Sequence, residues 1–205
     1  MFKNDDLPRI IKDVLSARSP QVIGDNQSLY RHAAVLIPIF SDNGEYKIVF
    51  TKRTNRVEEH KGQISFPGGR VDKEDGSLEE TALREAYEEV GLSRKDVTVL
   101  GRTDDALTLA SNFVIHPFVG FIPYPYPFRI NTTEVKRIIE VPLRLFLGEN
   151  HIDHNGIIEY EGVTYESLIY PYQGEVIWGA SARIMENFIE IMGEKLICHF
   201  ARIDI

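Results

Sequence analysis

Cysteine is almost absent from this sequence: Cys198 is the only one in 205 residues, so no intramolecular disulfide can form, and no Cys/His spacing of the zinc-finger kind occurs. Both absences suit a reducing cytoplasm, which is the expected location. Long apolar runs are missing too. Nowhere do 18 consecutive apolar residues occur, and Met1 to Pro8 is polar and acidic where a leader would be basic and then apolar, so neither a membrane span nor a secretion signal is expected. Positive charge is scarce, with 23 Lys and Arg against 31 Asp and Glu, a net −8. That balance argues against a general attraction to nucleic-acid backbone or anionic lipid, which needs clustered cations. Small molecules remain as partners, and an anionic one would need locally recruited cations. Repeats, low-complexity segments and linker-like composition shifts are also lacking.

What is present is ordinary globular composition, 43% hydrophobic and 26% charged. The length fits one αβ domain, residues 1–205, with a helical extension over 1–28 and a tail over 193–205. Leu7, Ile10, Ile11, Val14 and Leu15 mark one face of a short helix that packs on the domain. Ala33–Phe40 and Tyr46–Thr51 read as strands joined by Ser41-Asp42-Asn43-Gly44, a β-hairpin. Leu78–Val90 has Leu83, Ala86 and Val90 on one side and Gly91 as its stop, which makes it the best-marked helix. Val97–Leu100 and Phe113–Ile122 read as further strands, and the prolines of Tyr124-Pro125-Tyr126-Pro127 make a loop. Glu134–Val141 reads as a strand, with Pro142 starting a short helix. Ile157–Tyr170 has strand character, and Ile177–Met192 has apolar residues at helical spacing.

The chemistry concentrates on the marked helix. Glu88 and Glu89 stand three and four positions beyond Glu85, so at 100° per residue all three carboxylates leave one narrow arc opposite Leu83, Ala86 and Val90. Clustered carboxylates repel one another unless a cation compensates. Hard oxygen ligands suit magnesium or manganese, which bind through a few carboxylates and complete their shells with water and substrate phosphates. Arg84, four residues before Glu88, can fix a carboxylate with two hydrogen bonds. Glu-rich helices are usually solvated faces. Here a Gly68-Gly69 turn, an acidic loop, an Arg-Glu pair and a Gly stop occur in fixed order, which a solvated face has no reason to supply.

Those residues resemble the Nudix box, G-x5-E-x7-R-E-U-x-E-E-x-G-U with U aliphatic, over Gly69–Leu92. Arg84 to Leu92 matches at every specified position. Asp75 stands where the first Glu is expected, and eight residues instead of seven separate it from Arg84. The resemblance implies an α/β fold, a Nudix-type α/β/α sandwich around a mixed β-sheet, with an N-terminal and a C-terminal helix. It also implies metal ligation by Glu85, Glu88, Glu89 and the carbonyl of Gly69, and cleavage of a phosphoanhydride in a nucleoside diphosphate linked to another group.

A second stretch, Val49-Phe50-Thr51-Lys52-Arg53-Thr54 followed by Gly62 and Phe66-Pro67-Gly68-Gly69, is similar to the motif L-L-T-x-R-S-x3-R-x3-G-x3-F-P-G-G of coenzyme A pyrophosphatases. Glu58 occupies its second Arg position and cannot bind phosphate as Arg would; His60, Lys61 or Arg56 can take that part. Ile177-Trp178-Gly179-Ala180-Ser181-Ala182-Arg183-Ile184 also looks like this subgroup. The resemblance implies coenzyme A or a derivative as substrate, 3′,5′-ADP and 4′-phosphopantetheine as products, and Arg53, Gly68 and His60 as substrate contacts. For the general base, Glu88 ranks ahead of Glu134. Arg53 is divided evenly between substrate phosphate and an ion pair. Trp178 and Tyr170–Tyr172 can stack on adenine but read more readily as packing, and His116, in an apolar strand, as structural. ADP-ribose, dinucleoside polyphosphates or oxidised nucleotides are the alternative substrates. A nucleotide sensor without activity is the alternative class, and association as a homodimer is left open.

Overall fold

The computed structural model describes residues 6–25, 29–56, 61–108, 112–148, 153–160 and 162–203. Its centre is a mixed sheet. Strand β1 (Arg31–Asp42) pairs antiparallel with β2 (Glu45–Arg53) and parallel with β7 (Phe113–Phe121). Outside these lie β5 (Thr98–Arg102) on β7, and β8 (Val135–Pro142) on β2. Three short strands complete it: β3 (Ile64–Ser65) on β2, β4 (Gly68–Arg70) on β1, and β6 (Ala106–Leu107) on β7. Asp42 pairs with Glu45, so Asn43-Gly44 is a two-residue hairpin turn, both residues at positive φ as such turns require.

β1 reads as an unbroken apolar run because both of its faces are covered. Ala34, Leu36 and Phe40 pack toward α2 (Leu78–Val90), together with Leu83, Ala86 and Val90. Ile37 and Ile39 face the other side, where α1 (Asp6–Ser16), α3 (Gly179–Met192) and α4 (Glu194–Ile203) supply Leu7, Ile11, Met185, Phe188, Leu196 and Phe200. Each such fully buried side chain contributes roughly 1.5–3 kcal/mol. Helices therefore flank a mixed sheet on both faces, the α/β/α sandwich the sequence implied, with helices at both chain ends.

Among the described residues the extension is helical over Asp6–Ser16 and irregular over 17–25, with residues 1–5 and 26–28 outside the described set. Two expectations are corrected. The tail is not a tail: Leu196 and Phe200, four apart, bury one side of α4 in the core. The strand-like segment 157–170 belongs to two strands, β9 (Asp153–Tyr160) and β10 (Val163–Tyr172), which with β11 (Glu175–Trp178) form a second, antiparallel sheet. Helical spacing at Ile177 ran one element into the next, and α3 begins only at Gly179.

Glu175 fastens this second sheet to the first. Lys52 Nζ on β2 donates to both carboxylate oxygens at 2.6 and 2.7 Å, and Arg137 on β8 donates at 2.7 Å. The lysine hydrogen bond, against burial and with help from Arg137, holds the carboxyl below its usual range. A depressed folded-state pKa means the latch stabilises fully above the ordinary Glu range and is lost as pH falls through the depressed value. We expect Glu175→Gln to speed amide exchange across β9–β11 at neutral pH by an opening free energy of about 1–3 kcal/mol. Wild-type protein in acid should exchange similarly, and equal exchange in the variant and the wild type at pH 7 would remove the latch from the account.

Candidate active site

Helix α2 is fixed at both ends by its own sequence. Ser77 Oγ caps it by accepting from the Glu80 amide at 3.1 Å, and Glu80 reaches back to the Gly76 amide at 3.0 Å. Gly91, at φ 71°, closes it with its amide on Tyr87 O at 2.8 Å. The following loop is pinned to that closed end, Arg129 N on Val90 O at 2.9 Å and Asn131 N on Glu89 O at 2.8 Å. Asn131 Nδ2 then donates to Glu134 Oε1 at 3.0 Å. One residue, through its backbone amide and its side chain, thus couples the backbone at Glu89 to the carboxylate of Glu134.

Glu85, Glu89 and Glu134 line a cleft of roughly 690 Å³, with Gly68 and Gly69 in its floor. Gly68 is there because nothing larger fits, and a side chain at Gly69 would displace the Glu85 carboxylate. A Cβ on Gly68 would lie 2.5 Å from Ala34 O, where β4 crosses β1, and one on Gly69 would lie 2.4 Å from the Glu85 carboxylate. Glu88 is not in the cleft wall; its side chain is 52% exposed and rests against Arg84 Nη1 at 3.2 Å. The narrow arc inferred from helical spacing is therefore divided between a buried edge and a wet one.

Arg84 holds the ensemble together. Its Nε and Nη2 grip Asp75 at 2.9 Å each, Nη1 reaches Glu85 at 2.8 Å, and Nη2 also donates to Arg70 O at 3.0 Å. The two-pronged partner is Asp75, across the longer spacing, and Glu88 receives only a single contact. The arginine hydrogen bond holds the Asp75 carboxyl well below the usual carboxylate range, against burial. An aspartate whose own backbone turns tightly on Asp72 fills the place of a longer glutamate.

Glu89 is 2% exposed. Arg53 Nη1 donates to one oxygen at 3.3 Å, while the other, Oε2, is buried without a hydrogen-bond partner among the described residues. Burial pushes this carboxyl up to about 8; Arg53 and the Gly68 amide pull it down, and Glu85 and Glu134 push it further up. Burial also raises Glu85, opposed by Arg84 and reinforced by Glu88 and Glu134. An orphaned buried oxygen, two carboxyls made reluctant to ionise, and a glycine pressed against one of them fit a divalent cation that is part of the working site. Among the described residues no three acidic, His or Cys side chains form a closed cage. An open set suits an ion that takes one or two carboxylates and leaves positions for water and phosphate.

Arg53 lines the cleft and is ion-paired with Glu89, one of the two roles the sequence left open. His60 and Glu58 lie outside the described residues. His116 is structural, its Nδ1 on Asp105 at 2.8 Å and its Nε2 on His32 at 3.0 Å. Tyr170 is core, whereas Trp178 lines the cleft beside Tyr160 and Tyr165. Sequence reasoning missed Asp75 as the arginine's partner, and it offered Trp178 as a stacking residue without Tyr160 and Tyr165, which meet it only through the second sheet.

The Nudix domain model matches residues 30–175, and the chain belongs to the Nudix family. Within it, the chain is 38% identical over 160 residues to proteins of Yersinia pestis and Yersinia pseudotuberculosis, each named uncharacterized Nudix hydrolase NudL. The match covers 78% of this chain and 79% of each relative. A MutT/nudix family protein from Enterococcus faecalis shares the fold, with TM-score 0.52 and 11% identity over 94% of this chain and 81% of that one.

Proposed function

We propose that this Nudix protein hydrolyses the pyrophosphate bond of a nucleoside diphosphate linked to another moiety, with coenzyme A or a derivative as its preferred substrate. The observation that carries the reading is the convergence of Glu85, Glu89 and Glu134 on one cleft whose floor is the Gly68-Gly69 turn. The coenzyme A part is supported by Arg53, Gln63, Phe66, Gly68 and Gly69, all within the motif stretch and all lining that cleft. Glu85, Glu89 and the Gly69 carbonyl would hold magnesium or manganese. Bound there, the ion supplies charge neutralisation for the phosphates and acidifies water at neutral pH.

The chain's own contributions follow from the geometry. Asp75 and Arg84 hold Glu85 toward the cleft, and Arg53 steadies Glu89 while leaving its second oxygen free. Glu134, in the cleft wall and anchored by Asn131, is placed to accept the proton of the attacking water. We therefore rank it ahead of Glu88, whose side chain lies outside the cleft lining. Apolar walls at Val35, Phe66 and Phe113 limit water around the reacting centre.

The test is a mass-spectrometric hydrolysis screen with magnesium and with manganese, comparing coenzyme A, ADP-ribose, diadenosine polyphosphates and 8-oxo-dGTP. We expect 3′,5′-ADP and 4′-phosphopantetheine to dominate, and to vanish in Glu89→Gln. Preference for another nucleotide would overturn the substrate and keep the chemistry. No cleavage of any with either metal would make nucleotide sensing the better account.

A further inference from the structure

The cleft extends well beyond its carboxylates. Its far wall comes from the second sheet and the first turn of α3: Tyr160, Tyr165 and Trp178, then Ala180, Ser181 and Arg183. The Trp178 ring lies 5.6 Å from that of Tyr160 and 5.7 Å from that of Tyr165, tilted to both, an aromatic surface of the size of a nucleobase. Latching by Glu175 to Lys52 and Arg137 keeps this wall facing the carboxylates.

Of the arginines lining the cleft, Arg56 and Arg183 have no carboxylate partner among the described residues, and of these two it is Arg183 that stands on the far wall with Trp178. Arg84 is bound to Asp75, Glu85 and Glu88, and Arg53 to Glu89. Away from the site, Arg18 is bound to Asp104, Arg102 to Asp105 and Arg137 to Glu175. Arg183 makes one hydrogen bond, Nη2 to Leu107 O at 2.9 Å, and among the described residues no carboxylate pairs with it. That single backbone bond holds the side chain against β6 on the cleft wall and leaves most of a five-donor fork available. Although the side chain reaches solvent, surrounding protein disfavours its charge, only partly offset by Glu186. A phosphate bound there would remove that penalty with the short, paired hydrogen bonds a guanidinium favours.

We propose that the far wall is a subsite for a nucleoside bearing a phosphomonoester on its ribose, with the base against Trp178 and its tyrosine neighbours and the phosphomonoester on Arg183. This rests on the pyrophosphatase reading for the orientation of the substrate, whose scissile bond lies toward Glu85 and Glu89. Arg183 then sets specificity: it tells a ribose-phosphorylated nucleotide from one lacking that group, without touching the bond that breaks.

Trp178 is the only tryptophan in the chain, so intrinsic fluorescence reports this wall directly. The experiment titrates full-length protein, in chelator and without turnover, with 3′,5′-ADP, 2′,5′-ADP and 5′-AMP. We expect quenching of Trp178, with a ribose-phosphorylated probe bound 10–100-fold more tightly than 5′-AMP, the better of the two giving the position of the phosphate. Arg183→Met should erase that preference at unchanged far-UV circular dichroism, and Arg183→Lys should restore part of it. Absence of a fluorescence change at saturating probe, or a preference that survives in Arg183→Met, overturns the subsite. Hydrolysis of coenzyme A against its dephospho form separates this from the parent reading. If both are cut and wild type and Arg183→Met discriminate equally, the subsite falls while the activity stands. If neither is cut but the fluorescence preference holds, the subsite stands and the activity falls.

Discussion

Glu89→Gln should lose on the order of 10²–10³-fold in kcat, by the scale of losing a preorganised charge partner at a reacting centre, while unfolding in chelator at no lower denaturant concentration than the wild type. The two halves of this outcome have one cause. Glu89 is 2% exposed, one of its oxygens has no partner among the described residues, and Arg53 reaches the other only at 3.3 Å. Its carboxyl is pushed up to about 8, with burial as the largest cause, so the fold disfavours the charge even with Arg53 beside it. A glutamine of the same shape removes that charge. On the proposed reading it also removes an anionic metal ligand that the reaction needs. Added magnesium should stabilise the wild type against unfolding by about 2.7 kcal/mol at a hundred times its dissociation constant, raising its midpoint, and leave that of the variant nearly unchanged. Denaturant titrations with and without the metal, beside single-turnover kinetics, check both halves. More than a tenth of wild-type kcat in the variant, or no stabilisation of wild type by the ion, would separate Glu89 from metal binding.

Local signals carried the parts of the fold that were legible. Helix α2 announces itself through Ser77, Glu80 and Gly91, and the β1–β2 hairpin through Asn43-Gly44 between two apolar runs. Those residues determine backbone conformation within a few positions of themselves. The short strands β3, β4 and β6, two or three residues each, have no pattern to read, since their pairing is imposed by β1, β2 and β7. At Ile177 and Trp178 the apolar spacing continues across a strand-to-helix boundary, and only Gly179, at φ 63°, marks the change.

The site divides in the same way. Glu85 and Glu89, one helical turn apart, were visible from spacing. Glu88 could not be told from Glu89, because adjacent positions differ by 100° and tertiary packing decides which points inward. Asp75 stood at an unfamiliar distance from Arg84, and its part emerges once the turn at Asp72 absorbs the extra residue. Arg183 meets Leu107 across 76 positions of sequence, a contact no local rule supplies.

The absorbed insertion leads to the second large effect: Arg84→Ala should lower stability by about 3–5 kcal/mol, the range for removing one partner of a buried ion pair. Asp75 is 6% exposed and Glu85 16% exposed, and both would lose the cation that compensates their charge. Asp75 anchors the loop that carries Gly69 and Arg70, through Thr81 at 2.8 Å and the Asp72 amide at 2.9 Å, so the damage reaches the cleft floor. Arg84→Lys separates charge from geometry. An ammonium supplies one positive centre where the guanidinium serves Asp75 with two parallel bonds and Glu85 with a third atom. We expect the lysine variant to recover much of the stability while kcat stays 10–100-fold down, the usual loss when a residue that orients a metal ligand is disturbed. KM should change little, because Arg84 is not among the residues lining the cleft. Chemical denaturation and steady-state kinetics on the two variants decide it. Full activity in Arg84→Lys would mean that charge alone suffices, and a loss under 1 kcal/mol in Arg84→Ala would mean that Asp75 and Glu85 find other partners.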